Sequence, residues 1–136
     1  MTQRDFTPYG TDDNSYQTAG GFDGIKALVD GFYDAMQQLP EAKTILEMHD
    51  DDLTVSRDKL TRFLCGWLGG PKMFSLKYGP IRIPVAHQHL AIGRAERDAW
   101  LACMQSALDQ QDYPDAFKEY LMEQLYIPAE RSRNQD

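Results

Sequence analysis

From Phe22 onward, apolar residues recur at steps of three and one: Phe22, Ile25, Leu28, Val29, Phe32, Tyr33 and Met36. That spacing marks one face of an α-helix, and Pro40 ends it. A shorter helical piece follows in PEAKTILEMH, where Ile45, Leu46 and Met48 are the apolar positions. The acidic run at 50–52 is placed to cap and charge the next helix N-terminus. That next helix is longer. Leu60, Phe63, Leu64, Trp67 and Leu68 share one side, Arg57, Asp58, Thr61 and Arg62 lie elsewhere around it, and GGP at 69–71 stops it.

Between Pro71 and Gly93 no strong helical period survives, and Gly79, Pro80 and Pro84 punctuate a loop-rich stretch that carries His87 and His89. A loop of this length inside a small domain is often functional. After Gly93 a helix places Trp100, Cys103, Met104, Ala107 and Leu108 inward. After Pro114 a last helix carries Phe117, Tyr120, Leu121, Leu125 and Tyr126, and Pro128 is expected to end it. Residues 1–17 are polar and lack a period, so they read as an N-terminal extension ordered only by packing on the body. Residues 18–128 form the domain, and the tail 129–136 is expected to fray. No segment alternates long enough to suggest a sheet, so the fold class is all-α, with about five helices and one long irregular connection.

Composition narrows the function. At 136 residues the chain is the size of one ordinary domain that needs no staple. Its 14 basic against 21 acidic side chains give a formal charge of -7, which repels phosphate backbones and anionic membranes, so neither nucleic acid nor a membrane is an expected partner. Cys65 and Cys103 each sit within an apolar helical pattern, where a thiol packs as a small hydrophobe and suits a reducing, cytoplasmic setting. No phosphate loop, dinucleotide fingerprint, paired CxxC, HExxH or nucleophile elbow is present.

The chemistry that remains centres on His87 and His89, and three readings stand side by side. Zinc needs three or four ligands, and His49 is the only other histidine. Two loop histidines with ordinary polar contacts are a second reading. The third is a single imidazole serving as proximal ligand to a haem, which requires an apolar slot and polar donors on the far face. No CxxCH occurs, so such a haem would be held without thioether bonds. Tyr33 and Trp100 lie on apolar helix faces, where aromatic side chains are usually plain core. They differ from Phe in carrying a donor that, once buried, must find an acceptor. His49 reads as a helix end, and Lys59 and Arg82 as surface charges able to pair with a propionate.

The blocks FYDAM (32–36), MHDDDL (48–53), KLTRFLCGWLGGP (59–71) and HLAIGRAERDAWL (89–101) resemble, in order and spacing, the group II truncated haemoglobins. The resemblance runs from about residue 18 to residue 127 and implies a two-over-two helical sandwich around a haem. Carried over position by position, it implies that His87, four residues before the AIG triplet, is the proximal iron ligand and that His89 is a bystander. It places Tyr33, His49 and Trp100 on the distal, ligand-binding side, with Ser56 and Leu60 lining the same face one turn apart. Phe63 and Leu64 would pack against the porphyrin, and Lys59 falls where a propionate partner often sits. Ala86 departs from the family, many members of which carry arginine there; Arg82 is the candidate replacement.

The resemblance thus implies a non-covalent haem b that binds dioxygen and other small ligands such as carbon monoxide, nitric oxide or peroxide. Oxygen binding or transport is one expected role. Redox detoxification, as a peroxidase or a nitric oxide dioxygenase with a separate reductase, is the other. A monomer and a homodimer are both compatible with the sequence. The rival from another class is a cofactor-free helical interaction or sensor module in which Tyr33, Phe63 and Trp100 are plain core.

Overall fold

A computed structural model describes residues 9–10, 12–49, 52–79 and 92–134 of the chain. Its elements are helices: α1 (Asn14–Thr18), α2 (Gly21–Gln38), a 3-10 turn (Pro40–Ala42) running into α3 (Lys43–Glu47), α4 (Thr54–Trp67), α5 (Met73–Tyr78), α6 (Arg94–Asp109) and α7 (Asp115–Arg131). No strand occurs among the described residues.

The period that opens at Phe22 produces the central helix. On α2, Ile25, Leu28, Val29, Phe32, Tyr33 and Met36 are buried, while Phe22 is half-buried. This helix packs most extensively on α6 and next on α4, and α6 packs in turn on α7. Small residues let the first crossing close: a Cβ added at Gly31 would meet the Ala107 Cβ at 3.5 Å. The core between these helices holds Phe32, Met104, Leu108, Phe117 and Leu121 with essentially no exposure. Burying each such side chain contributes about 1.5–3 kcal/mol. Pro40 ends α2, and Asp52, just before the N-cap Leu53 of α4, accepts at Oδ1 from the N–H of the first helical residue Thr54 at 2.9 Å and from its hydroxyl at 2.6 Å.

Helix α4 is apolar on two stripes rather than one. Thr61, Leu64, Cys65 and Leu68 are buried, whereas Leu60, Phe63 and Trp67 are half-buried. Neighbouring residues on a helix stand about 100° apart, so the second stripe turns away from the core that the first one fills. Thr61 belongs to the core stripe because its hydroxyl donates to the Arg57 carbonyl at 2.8 Å, which leaves no unpaired polar atom to bury.

The ends depart from the sequence expectation. The boundary set at 17/18 falls inside α1, which is held by tertiary contacts rather than by its own period. The Tyr16 N–H donates to the Leu68 carbonyl at 3.1 Å, the Gly10 N–H donates to the buried Ser15 Oγ at 2.9 Å, and the Tyr9 ring lies 5.1 Å from Phe117 and 5.2 Å from Tyr120. Gly69, at φ +94°, lets this segment approach, since a Cβ there would overlap the Asp12 carbonyl oxygen. At the other end Pro128 does not stop α7, and the tail is not frayed as far as Asn134. Arg97 of α6 donates to Glu130 at 2.8 Å, Arg133 donates to the same carboxylate at 2.8 Å, and Asn134 and Ile92 exchange two hydrogen bonds, at 2.8 and 2.9 Å. Tyr126 is 44% exposed, and its hydroxyl accepts from Arg97.

Helix α5 was not legible as a helix. Six residues cannot display a period, and Pro71 and Gly79 on either side read as loop. Its anchor is distant in sequence: Lys77 Nζ and Tyr78 Oη donate to Asp58 of α4 at 2.9 and 2.6 Å. With Arg62 donating to the same side chain at 2.9 Å, these contacts hold the Asp58 carboxyl at about 2, well below its ordinary value.

Candidate functional site

Tyr33 is buried with only a distant hydrogen-bond acceptor. It lies on the inner face of α2 at 5% exposure. Its hydroxyl reaches the Ser56 carbonyl at 3.5 Å, the outer limit for a hydrogen bond. Burial pushes the phenol up to about 12, while the Arg57 charge beside it acts in the other direction. The group therefore stays protonated at neutral pH and is a donor with a poor acceptor.

Aromatic rings extend from Tyr33 on both sides. His49 follows α3 and meets the Tyr33 ring edge-on at 5.7 Å and 81°. Its Nδ1 lies 2.8 Å from the Ile45 carbonyl. A carbonyl only accepts, so Nδ1 carries a proton and donates to it. On the other side Phe32 is 4.9 Å from Tyr33 and 5.0 Å from Trp100 of α6. The helix period turned Cys103, Met104, Ala107 and Leu108 into the core and left Trp100 half-buried at its border. Tyr33, His49 and Trp100 are thus joined through one ring cluster, with Ser56 brought to it by its carbonyl.

The half-covered stripe of α4 supplies an apolar wall of Leu60, Phe63 and Trp67, with the last two rings stacked at 6.5 Å and 21°. Leu64 falls on the core stripe, with 1% exposure. Lys59 places its ammonium 5.3 Å from the centre of the Tyr78 ring. His87, His89, Ala86 and Arg82 lie outside the described residues. Sequence reasoning missed two participants. Trp67 reads there as core like its neighbours, and Arg57, which touches the Tyr33 ring at 5.6 Å, reads as a surface charge. The only signal for Arg57 was its position beside Ser56, one turn before the core residue Thr61.

Among the described residues no helix is long and apolar enough to cross a membrane. The chain matches the bacterial-like globin family over residues 14–131. It is 31% identical over 122 residues to the group 2 truncated hemoglobin YjbI of Bacillus subtilis, with 90% of each chain covered. Among solved structures, it resembles the cold-adapted truncated hemoglobin of Pseudoalteromonas haloplanktis with a TM-score of 0.86 at 33% identity, over 90% of this chain and 98% of that one. It resembles the group II 2-on-2 hemoglobin of Agrobacterium tumefaciens with a TM-score of 0.85 at 32% identity, over 100% of both. An all-helical body, a buried phenol ringed by aromatic side chains and a family match across nearly its whole length agree: the chain belongs to the group II truncated haemoglobins, globins of the 2-on-2 type that bind gases through haem.

Proposed function

We propose that the chain holds a haem b without covalent attachment, with His87 as proximal ligand, and binds dioxygen and other diatomic ligands beside Tyr33, His49 and Trp100. One observation carries this reading: a phenol 5% exposed whose acceptor stands 3.5 Å away, next to an apolar stripe the fold leaves half-covered. A buried donor so poorly partnered costs about 1–3 kcal/mol, which a polar ligand in the pocket would relieve. Leu60, Phe63 and Trp67 offer the flat apolar surface that a porphyrin needs, so the residues present fit the group.

The haem, when bound, supplies the iron at which a diatomic ligand is held. The protein supplies the rest. Tyr33 presents a proton at Oη, the Trp100 indole can only donate, and His49 borders the phenol. Ser56 and Leu60 would line the same side, Phe63 would pack against the porphyrin with Leu64 behind it, and Lys59 and Arg82 are candidates to pair with the propionates. Each donor to the ligand contributes about 0.5–1.5 kcal/mol, so two or three together slow its release by roughly five- to two-thousandfold. Slow release suits redox work, peroxide reduction or nitric oxide removal in the cytoplasm with a separate reductase, better than oxygen delivery.

The test is a visible absorption spectrum of protein expressed with a haem precursor, recorded ferric, ferrous and with carbon monoxide. An intense Soret band that shifts on reduction, vanishes or changes in His87→Ala and persists in His89→Ala supports the reading. A colourless, well-folded chain that takes up no added haem overturns it in favour of a cofactor-free helical module. Unchanged peroxide turnover and dioxygen release in Tyr33→Phe, His49→Ala and Trp100→Phe would remove the distal assignment.

A further inference from the structure

Arg57 is an ion-pair partner between α2 and α4, but its placement does more than join two helices. Its guanidinium carbon stands 5.6 Å from the centre of the Tyr33 ring. Three hydrogen bonds fix it there. Nη1 donates to the Asp30 carbonyl oxygen at 3.2 Å and to Asp30 Oδ1 at 3.1 Å, and Nη2 donates to Asp34 Oδ1 at 3.1 Å. Asp30 is itself steadied by Lys26 at 3.1 Å. The two carboxylates sit three residues before and one after Tyr33 on the same helix, so the fork straddles the phenol. The planar guanidinium meets a main-chain carbonyl and two carboxylates at once through a rigid fork, where lysine has only a compact point charge. The preceding residue, Ser56, gives its carbonyl to the same phenol. One turn of α4 therefore grips Tyr33 at both its hydroxyl and its face.

A cation over an aromatic face draws electron density from the ring, and a phenol so depleted gives up its proton more readily. A carboxylate nearby opposes that pull. The charged and titratable groups about Tyr33 among the described residues are Arg57 from α4, Asp30, Asp34 and Lys26 from α2, and His49 after α3. Asp34 has a side chain 58% exposed, against 26% for Arg57, so water screens the opposing charge more than the favourable one.

We propose that Arg57 is a positioning residue of the gas site: its charge, clamped over the Tyr33 ring by Asp30 and Asp34, sets how strongly the phenolic O–H donates to a bound diatomic ligand, with Asp34 as the attenuator. This rests on the reading of Tyr33 as the donor. The two ends of the same ion pair then act with opposite sign. Removing the Arg57 charge weakens donation, and removing the Asp34 charge strengthens it. A purely structural role would move both in the same direction, since either change breaks the same contact.

The experiment compares Arg57→Met, Arg57→Lys, Asp34→Asn and Tyr33→Phe with the wild type. Infrared spectroscopy of the reduced, carbon monoxide-saturated protein reads the C–O stretch, which falls as donation to the ligand oxygen strengthens. With 3-fluorotyrosine at position 33, whose phenol is more acidic than tyrosine's, fluorine NMR follows titration of the phenol. Arg57→Met is expected to raise the stretch, move the phenol titration upward and speed dioxygen release about threefold. Asp34→Asn is expected to shift all three the other way, and Arg57→Lys to recover part of the loss. Asp34 is exposed, so its variant tests the sign even where Arg57→Met folds poorly. Shifts of the same sign in Arg57→Met and Asp34→Asn overturn the proposal, as does an Arg57→Met protein with wild-type stretch and titration. If Tyr33→Phe leaves the stretch unchanged, the donor reading falls and the proposal with it. If Tyr33→Phe shifts the stretch and Arg57→Met does not, the proposal falls alone.

Discussion

Replacing Gly69 by alanine would put a methyl group where the Asp12 carbonyl oxygen already lies, at a residue whose φ of +94° favours glycine. The backbone strain alone costs about 1–2 kcal/mol. The overlap is with main chain, not with the end of a flexible side chain, so the segment leading into α1 has to lift off the C-terminal end of α4. Lifting it breaks the Tyr16 N–H bond to the Leu68 carbonyl, worth about 1 kcal/mol, and strips cover from Ser15 and Ala19, at 1% and 0% exposure. The sum is about 2–4 kcal/mol. Unfolding entropies near 2.1 cal/mol/K per residue give a chain of 136 residues a fall in Tm of about 7–14 °C. Gly20→Ala is the control. It carries a similar φ of +93°, but its Cβ would only brush Gly24 Cα at 3.1 Å, so it should cost little beyond the backbone strain of about 1–2 kcal/mol. The assay is thermal unfolding of the haem-loaded protein together with amide exchange at Tyr16. A Gly69→Ala protein that melts within about 1 °C of the wild type and keeps Tyr16 protected would refute the close-approach reasoning.

Three further outcomes are expected. Phe32→Ala, at a side chain with no exposure between Tyr33 and Trp100, should cost about 3–5 kcal/mol in urea unfolding and alter Trp100 fluorescence, whereas Phe32→Leu should cost under about 1.5. Asp58, held at about 2 by Tyr78, Lys77 and Arg62, contributes stability that is fully present above the unfolded value near 3.8 and is lost as pH falls through 2. Asp58→Asn should therefore lower stability by about 1 kcal/mol at neutral pH, a deficit that closes toward pH 2 in acid titrations of the unfolding midpoint. Burial, with Glu41 adding to it, pushes the Cys103 thiol up to about 11. Iodoacetamide at pH 8 should leave the native protein unmodified by mass and alkylate both cysteines in denaturant, and rapid native labelling would contradict the burial.

Which parts of this structure were readable follows from where each residue finds its partner. Helix α2 buries a single face, so the spacing from Ile25 to Met36 announced it, and the same holds for Cys103 to Leu108 on α6. Helix α4 was half-legible. Leu60, Phe63 and Trp67 look as apolar as Leu64 and Leu68, and nothing in the residue types separates the stripe that meets protein from the stripe left half-covered. Thr61 was misplaced because its pairing with its own helix backbone makes a hydroxyl acceptable in the core. Short α5 and the last turn of α7 beyond Pro128 depend on Asp58, Arg97 and Ile92, partners that no local window contains. Tyr33, His49 and Trp100 were named from family spacing, and the structure adds the ring contacts through which they meet. Arg57 escaped because the carboxylates that hold it lie more than twenty residues earlier, on another helix.

The reciprocal bonds between Asn134 and Ile92 make the end of the described chain a tethered ligand. Ile92 is 8% exposed, and one residue satisfies both its N–H and its carbonyl. Because the Glu130 pairings already hold the last turn of α7 against Arg97, Asn134 closes on its target at the high effective concentration of a short leash. In sequence Ile92 stands five residues after His87. A protein cut after Arg131 would leave a nearly buried peptide group without its partner at the start of α6. For anyone building on this scaffold, the last described residues belong to the same working part as the start of α6, and a fusion joined just after Arg131 would be felt there first.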